Sequence, residues 1–589
     1  MNFTTTTRQS MLIAGLLQGA AMVALHEWFK SNGFTPPDLL WAVPVYALVV
    51  LGPITFNFLR SKFPAAQAMK AAAVAVGAIA VTGAWLGWSF GVGGGARQTL
   101  GPDAGPLFVF GASSLVAWFI ALPFLQARLR ENAFSFPYAR LFDDAWRNTL
   151  LVTNCALFTA LFWVLLALWA GLFMVLNIGF FKDLFTSRFF FYVATAMAMS
   201  FAVSLEEKEA SALGALRRHL LAFKTRLLPL AALIVILFLG ALPFTGLDPL
   251  WSTGRTTPLI LSLQVAIIAL TNSAWQDGAQ PPPFSKPVQW LTRAAITSLP
   301  VLSIICIWSL SLRIDQYGWS VDRVWAAVLV GLTTLYAAGY GISAVMTGWM
   351  PTLGAVNTWM AMLAIATLLA VHTPLLDPQR MSANSQMFRL LSGRVEIEKF
   401  DFNYLRFELG RSGDEALKAL TELSGHPKAE EIRTKAKQAL TLQNRYGTRE
   451  ESIPAKEQIA ANLEPKPAAT KISPAFVDYL HERLSKSKFD YALNALKSGK
   501  RVPLLIIDLG ADPFPEYVLM AAPFPVFTQY EGKWRQIGQI NFAHPNPQPE
   551  DLQRWLASGD VAVVPRPWSD LRLGDRSGAL MLRTERSPE

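Results

Sequence analysis

Two short stretches carry residues whose types could recognise an anion. Asp248, Trp251 and Arg255 stand between two apolar runs, and Arg313, Asp315, Asp322 and Arg323 stand between two later ones. Ionisable groups near hydrocarbon cost about 2.5–3.5 kcal/mol at mid-helix and persist where they pair or line a cavity. Arginine offers a planar fork of donors that fits a phosphate or carboxylate. Asp248, Trp251, Arg255, Arg313, Asp315 and Arg323 therefore form a candidate pocket for an anion or lipid headgroup. The plainer reading is that Arg313 and Arg323 reach the interface along their apolar stems and pair with Asp315 and Asp322.

Other constellations carry less. Asp508, Gly510, Asp512 and Glu516 resemble an acidic calcium loop, but Pro513 and Pro515 stiffen it and only three carboxylates are present, so an ordinary turn is expected. Gly91, Gly93, Gly94 and Gly95 lack the pattern of a phosphate cradle and read as a loop. The six histidines, His26, His219, His372, His426, His481 and His544, have no metal-binding spacing. Glu206, Lys208, Glu207 and Glu209 read as a solvated helix end. Met197, Met199, Trp163 and Trp169 read as packing or lipid-facing residues. Cys155 and Cys306 both lie in apolar segments, offering neither a disulfide framework nor a metal pair. No catalytic residue, metal or cofactor is expected, and no nucleophile elbow is present.

The elements that would position these groups follow from composition. Of 589 residues, 52% are apolar and 16% charged, too greasy for a soluble chain. The net charge of +10 comes from Lys and Arg gathered in short loops, which points to membrane topology and away from nucleic acid. A span needs about 20 apolar residues. Charge-free windows run 9–26, 39–59, 71–96, 104–127, 148–181, 189–205, 227–247, 256–276, 294–312 and 324–376. The last is divided by the turn-forming stretch 347–354, giving eleven helices. Between Ala156 and Asn177 lie twelve Leu, Val and Phe residues, worth about −4 to −7 kcal/mol on insertion. The first window is interrupted by Gln18 and His26 and follows Arg8 like a signal peptide, yet reads as a retained helix. Residues 178–185, before the short sixth window, read as interfacial.

With the N-terminus cytoplasmic, inner segments hold fifteen Lys and Arg residues and outer ones seven. That is the positive-inside bias. Eleven crossings then leave residues 376–589 on the far side, where the two charged stretches also lie.

The tail is expected to begin with a soluble helical segment, 376–446. Ser412 to Glu415 matches a capping box before a helix, Gly425 stops it, and a second helix runs from about Pro427 to Leu442. Residues 447–472 read as a flexible linker. Residues 473–589 then read as a small α+β domain. Its helices are expected at 473–484, 489–497 and 549–556, and its strands at 502–507, 517–520, 525–530, 535–540 and 561–564. The whole is mainly α: a polytopic bundle followed by a helical segment and a small α+β domain.

Several stretches resemble the bacterial membrane-protein family DUF4153, whose activity is unknown. They are Leu242-Pro243-Phe244-Thr245-Gly246-Leu247, Pro249-Leu250-Trp251, Thr253-Gly254, Asn272, and Gln276-Asp277-Gly278. Then come Leu312-Arg313-Ile314-Asp315-Gln316-Tyr317-Gly318-Trp319, Asp322-Arg323, Asp377-Pro378, Ser385-Gln386, Arg389-Leu390, and the run from Phe400 to Phe407. The resemblance implies a multi-pass protein of the bacterial inner membrane. Three classes stay open: a non-enzymatic envelope component whose tail meets a protein partner, a transporter or lipid-handling protein using the outer charges, and a membrane-embedded enzyme. Membrane lipids are partners in every case.

Overall fold

In hydrocarbon every backbone amide must be paired within its own segment, so a long apolar window has to become a helix. The computed structural model describes residues 5–32, 35–90, 105–132, 134–205, 210–252, 256–442, 454–468, 470–486, 493–497, 501–509, 514–530, 532–540, 549–558, 561, 563, 571–573 and 576–578. Its first helices are α1 (Thr5–Asn32), α2 (Leu39–Arg60), α3 (Ala65–Phe90), α4 (Gly105–Glu131) and α5 (Tyr138–Val175). They continue with α6 (Phe180–Thr186), α7 (Arg188–Ser204), α8 (Ala210–Thr245), α9 (Asp248–Ser252) and α10 (Thr256–Trp275). The last of the bundle are α11 (Lys286–Thr297), α12 (Leu299–Tyr317), α13 (Val321–Val345) and α14 (Leu353–Ala370). Among the described residues ten helices or continuous helix pairs are long and apolar enough to cross a bilayer, and eleven with α6 and α7, bent by 68°, counted as one span. This is a membrane protein.

Every expected window overlaps one or two of these helices, and several of the helices run further than the windows. The fifth starts at Tyr138 rather than 148, taking in Arg140, Asp143, Asp144 and Arg147. Absence of charge marks what hydrocarbon must hold, whereas intrahelical hydrogen bonding carries a helix on into water. The expected ninth span is two helices, broken at Ser298 between α11 and α12. On the flanks, large apolar side chains stand bare: Val81 is 70% exposed, Leu172 69% and Val175 81%. Lipid is the solvent such a surface fits.

Two pairs of glycines bring helices together. On α1, a Cβ at Gly15 would strike Ser200, and one at Gly19 would lie 2.5 Å from the Val193 Cα. Small residues four apart let backbones approach where no hydrophobic effect drives association. Arg8 sits over the Phe201 ring and Glu27 pairs with Arg188, so α1 and α7 run antiparallel along the full length of α7. Gly83 and Gly87 do the same for α3 against α2, where a Cβ at Gly87 would strike the Leu39 carbonyl.

The spans form two apolar cores. One gathers Met11, Leu59, Val76, Trp118, Leu151 and Val203 from α1–α5 and α7. The other gathers Leu228, Ile267, Ile296, Leu302 and Tyr340 from α8 and α10–α13. The two ends of α14 join different cores, Leu353 the second and Leu369 the first. Polar side chains add hydrogen bonds between spans: Gln264 donates to Ser303 Oγ at 2.7 Å and to the Leu299 carbonyl at 3.0 Å.

After α14 the chain forms α15 (Pro378–Leu391), α16 (Phe402–Glu408), α17 (Gly410–Thr421) and α18 (Ala429–Thr441) around a core of Leu390, Leu405, Leu417, Leu420 and Ile432. The expected capping box is corrected here: α17 begins at Gly410, and Ser412 lies inside it. Its start is set by tertiary packing, because Gly413 presses on the Leu405 carbonyl so closely that no side chain fits between. Gly425 takes the expected stop conformation, with φ of +76°.

Residues 447–589 are a separate unit. The described part holds α19 (Lys456–Asn462), β1 (Leu463–Lys466), α20 (Pro474–Lys486), α21 (Asn494–Lys497), β2 (Val502–Ile507), β3 (Glu516–Leu519), β4 (Pro525–Tyr530), β5 (Lys533–Gln539) and α22 (Pro549–Ser558). The sheet order is β1-β2-β3-β4-β5, with β1 parallel to β2 and the rest antiparallel. Phe476, Leu480 and Leu484 of α20 cover one face. The expected linker is therefore partly structured, since α19 and β1 lie within 447–472. Its composition hid the strand: β1 is an edge, where Glu464, Pro465 and Lys466 are tolerated and Leu463 alone is buried. The expected strand 561–564 lies mostly outside the described residues, and neither Val561 nor Val563 is in a strand. A short hairpin, β6 (Leu571–Leu573) with β7 (Arg576–Gly578), follows instead.

Candidate functional site

The turn between α12 and α13 is the better described half of the expected anion pocket. The chain must reverse here between two spans, and Gly318 allows it with φ of +75°. Its free carbonyls and amides need partners. Arg323 turns back to donate to the Gly318 carbonyl at 2.9 Å and lies over the Tyr317 ring. Arg313, Asp315 and Asp322 are exposed, and no ion pair joins them to one another or to Arg323 among the described residues. The expected pairing of these arginines with Asp315 and Asp322 is therefore absent here. One arm of the Arg323 fork, Nη1, is spent on a backbone oxygen.

The other half lies on α9. Asp248 is exposed, and Trp251 is half-buried against the second apolar core. Arg255 lies outside the described residues, as do Gly91, Gly93, Gly94 and Gly95, the acidic cluster 206–209, and Gly510 and Asp512 of the acidic loop. Glu516 of that loop is buried and accepts hydrogen bonds from the Leu509 amide at 2.7 Å and Thr528 Oγ1 at 3.2 Å, so it closes a turn. Among the described residues no three His, Cys, Asp or Glu side chains gather as they would around a metal ion.

What meets the α12–α13 turn is a stripe on α15. Ser382, Ser385, Gln386 and Arg389 recur at helical spacing and so share one face. Arg389 donates to the carbonyls of Asp315 at 2.9 Å and Gln316 at 2.7 Å. Gln386 donates to those of Tyr317 at 3.2 Å and Trp319 at 3.0 Å. Ser385 accepts from the Trp319 amide at 3.0 Å, and Ser382 donates to the Trp319 carbonyl at 3.1 Å. Tyr404 of α16 accepts from the Val321 amide at 3.1 Å, which it faces from a half-buried position. A Cβ at Gly318 would lie 2.5 Å from Arg389 Cδ, so the seat also needs that glycine.

Two further contacts fix the same segment to α3. Asp377, buried, accepts from the amides of Gln379 at 2.9 Å and Arg380 at 3.2 Å, capping α15, and from Trp85 Nε1 at 3.2 Å. Burial raises its pKa, opposed by those amides. Arg411 donates to the Trp88 carbonyl at 3.2 Å and lies 4.1 Å from the centre of the Trp88 ring. Gly410 comes close beneath, its would-be Cβ 2.6 Å from the Ser89 carbonyl.

Just before this joint, Ser113 Oγ and His372 Nε2 lie 2.7 Å apart. Burial pushes the His372 pKa down to about 4, so the ring is neutral at pH 7. The ring also lies beside two aromatic rings, Phe110 at 5.1 Å and Trp325 at 5.8 Å. Acyl transfer would need a third group to orient the base, and Ser113 also lies within hydrogen-bond reach of the Val109 carbonyl. This pair ties α4 to the end of the last span.

Part of the residues that resemble the family thus meet in space: the stretches around 312–323, 377–390 and 400–407 are the parts of this joint, while those around 242–254 and 272–278 are not. In the sequence they stand as separate signatures. The polar spacing on α15 was the signal for their common face. No family model, no curated protein and no solved structure matches the chain.

Proposed function

We propose that this chain is a bacterial inner-membrane protein of the DUF4153 kind, acting without catalysis as an interaction component of the cell envelope. The observation that carries the reading is the joint. Seven described side chains, Ser382, Ser385, Gln386, Arg389, Tyr404, Asp377 and Arg411, are spent on holding 377–421 to the ends of the spans. That is a rigid base, built of groups that a catalytic site would keep free.

The N-terminus is cytoplasmic and the tail lies beyond the outer surface in this reading. The excess of fifteen basic residues over seven supports it. So does α7: antiparallel to α1 over its length, it has the direction that a sixth crossing requires. At 17 residues it is about 25 Å long, short for a span but extended by the bent α6. Residues 447–589 then form an extracytoplasmic module that meets a protein partner.

The test is a pull-down from cross-linked membranes, comparing the full chain with one lacking 447–589. Loss of envelope partners with the bundle still inserted is the expected result. Unchanged partners would remove the proposed role. The alternative, a transporter or lipid-handling protein, would rest on Arg313 and on Arg255. Replacing both and measuring lipid or solute flux in vesicles separates the two.

A further inference from the structure

At the other end of α13, about 37 Å from the α12–α13 turn along its 25 residues, the chain reverses again before α14. Residues 346–352 make this turn, with φ of +95° at Gly348 and +52° at Met350. Arg293 of α11 clamps it, donating through Nη2 to the carbonyls of Met346 at 3.1 Å and of Gly348. Trp275 Nε1 of α10 donates to the Trp349 carbonyl at 3.1 Å.

Three polar atoms of this assembly are buried without a partner: Arg293 Nε, Trp349 Nε1 and Thr352 Oγ1. A buried donor left unpaired costs about 1–3 kcal/mol. Single orphans occur elsewhere in the bundle, but here three belong to one seven-residue turn and the arginine that holds it. Two are N–H groups that can only donate, and the third is a hydroxyl. Among the described residues no carboxylate is bonded to Arg293, so its charge is not neutralised. On the surface of α11, Lys286 is exposed and Trp290 is 73% exposed. A cation and an indole at a helix end are the side chains that settle among headgroups.

We propose that the α13–α14 turn and α11 form a binding site for a phosphate-type anion, taken from the headgroup of an anionic phospholipid or from inorganic phosphate. Arg293 Nε and Trp349 Nε1 donate to its oxygens, Thr352 donates a third hydrogen bond, and Arg293 supplies the charge. The site is separate from the joint and does not depend on the side of the membrane at which it lies.

The experiment uses the full chain, stripped of lipid in a neutral detergent. Thermal unfolding and native mass spectrometry are read with phosphatidylglycerol against phosphatidylcholine, and with inorganic phosphate against chloride at equal ionic strength. Trp349→Phe keeps the ring and removes one donor. Arg293→Lys keeps the charge and loses Nε. Arg293→Ala is avoided because it releases the clamp on the turn. Phosphatidylglycerol is expected to bind and stabilise, with each variant weakening it about tenfold, the size of one hydrogen bond to a charged group. Stabilisation by phosphatidylglycerol alone assigns the site to a lipid headgroup, and equal stabilisation by phosphate assigns it to the free anion. If neither probe acts beyond its control, or both variants bind as the wild type does, water satisfies these donors and the proposal falls.

Discussion

Replacing Asp377 by alanine should open the joint between the spans and residues 378–421 while leaving the spans inserted. The carboxylate has two tasks, capping α15 at Gln379 and Arg380 and accepting from Trp85. Losing an aspartate cap costs about 1 kcal/mol. Leaving Trp85 Nε1 without its partner costs about 1–3 kcal/mol. Against these stands the relief of no longer burying a carboxylate whose pKa burial has raised. The net is about 2 kcal/mol, roughly a thirtyfold increase in the local opening constant. Hydrogen exchange read by mass spectrometry in detergent measures it directly. Amides of α15 and α17 should exchange about thirtyfold faster, with those of α10 and α12 unchanged. Unaltered protection over 378–421, or a loss spread evenly over all the helices, would rule out this role for Asp377.

Gly19→Ala places a Cβ 2.5 Å from the Val193 Cα, backbone that cannot step aside, and should cost about 1–3 kcal/mol in detergent thermal unfolding. Gly52→Ala, with nothing within 4 Å, should leave the transition in place and serves as its control. Gly410→Ala meets both the Ser89 carbonyl and an unfavourable φ of +53°, so it should raise exchange in α17 as Asp377→Ala does. His372 gives a pH dependence of known sign. Its folded pKa, about 4, lies below the unfolded value near 6.5, so the unfolded chain binds the proton first and stability falls as pH drops from 6.5 to 4. The loss at the bottom of that window is about 3 kcal/mol. His372→Gln should flatten the slope in a pH series of thermal unfolding, and an unchanged slope would assign it elsewhere.

The spans were legible because hydrocarbon tolerates so little: a window such as 256–276 without charge has almost no other fate, and α10 occupies it. Their ends were not, since Arg140 and Asp144 sit comfortably on α5 once it leaves the lipid. The pairing of α1 with α7 needed knowledge of both partners, although Gly15 and Gly19 carried half the message. In the tail, short runs of aliphatic, β-branched and aromatic residues revealed β2 and β4, while β1 escaped because an edge strand can be mostly polar. The candidate pocket shows the limit most clearly. By residue type alone, Arg323 is a cation suited to an anion. Where its donors go depends on Gly318, five residues back, and on a helix more than fifty residues ahead. Nothing local to the turn announced that Arg389 would take the carbonyls of Asp315 and Gln316.

With α7 as a full crossing, the two ends of the bundle's chain would lie on opposite sides of the membrane. Single cysteines at Ser61, after α2, and at Ser424, after α17, in a chain whose Cys155 and Cys306 are replaced by alanine, test it with an impermeant maleimide on intact spheroplasts. Labelling at position 424 without lysis, with position 61 labelled after lysis alone, is the predicted result. Equal behaviour of the two positions would mean an even number of crossings and would contradict the layout.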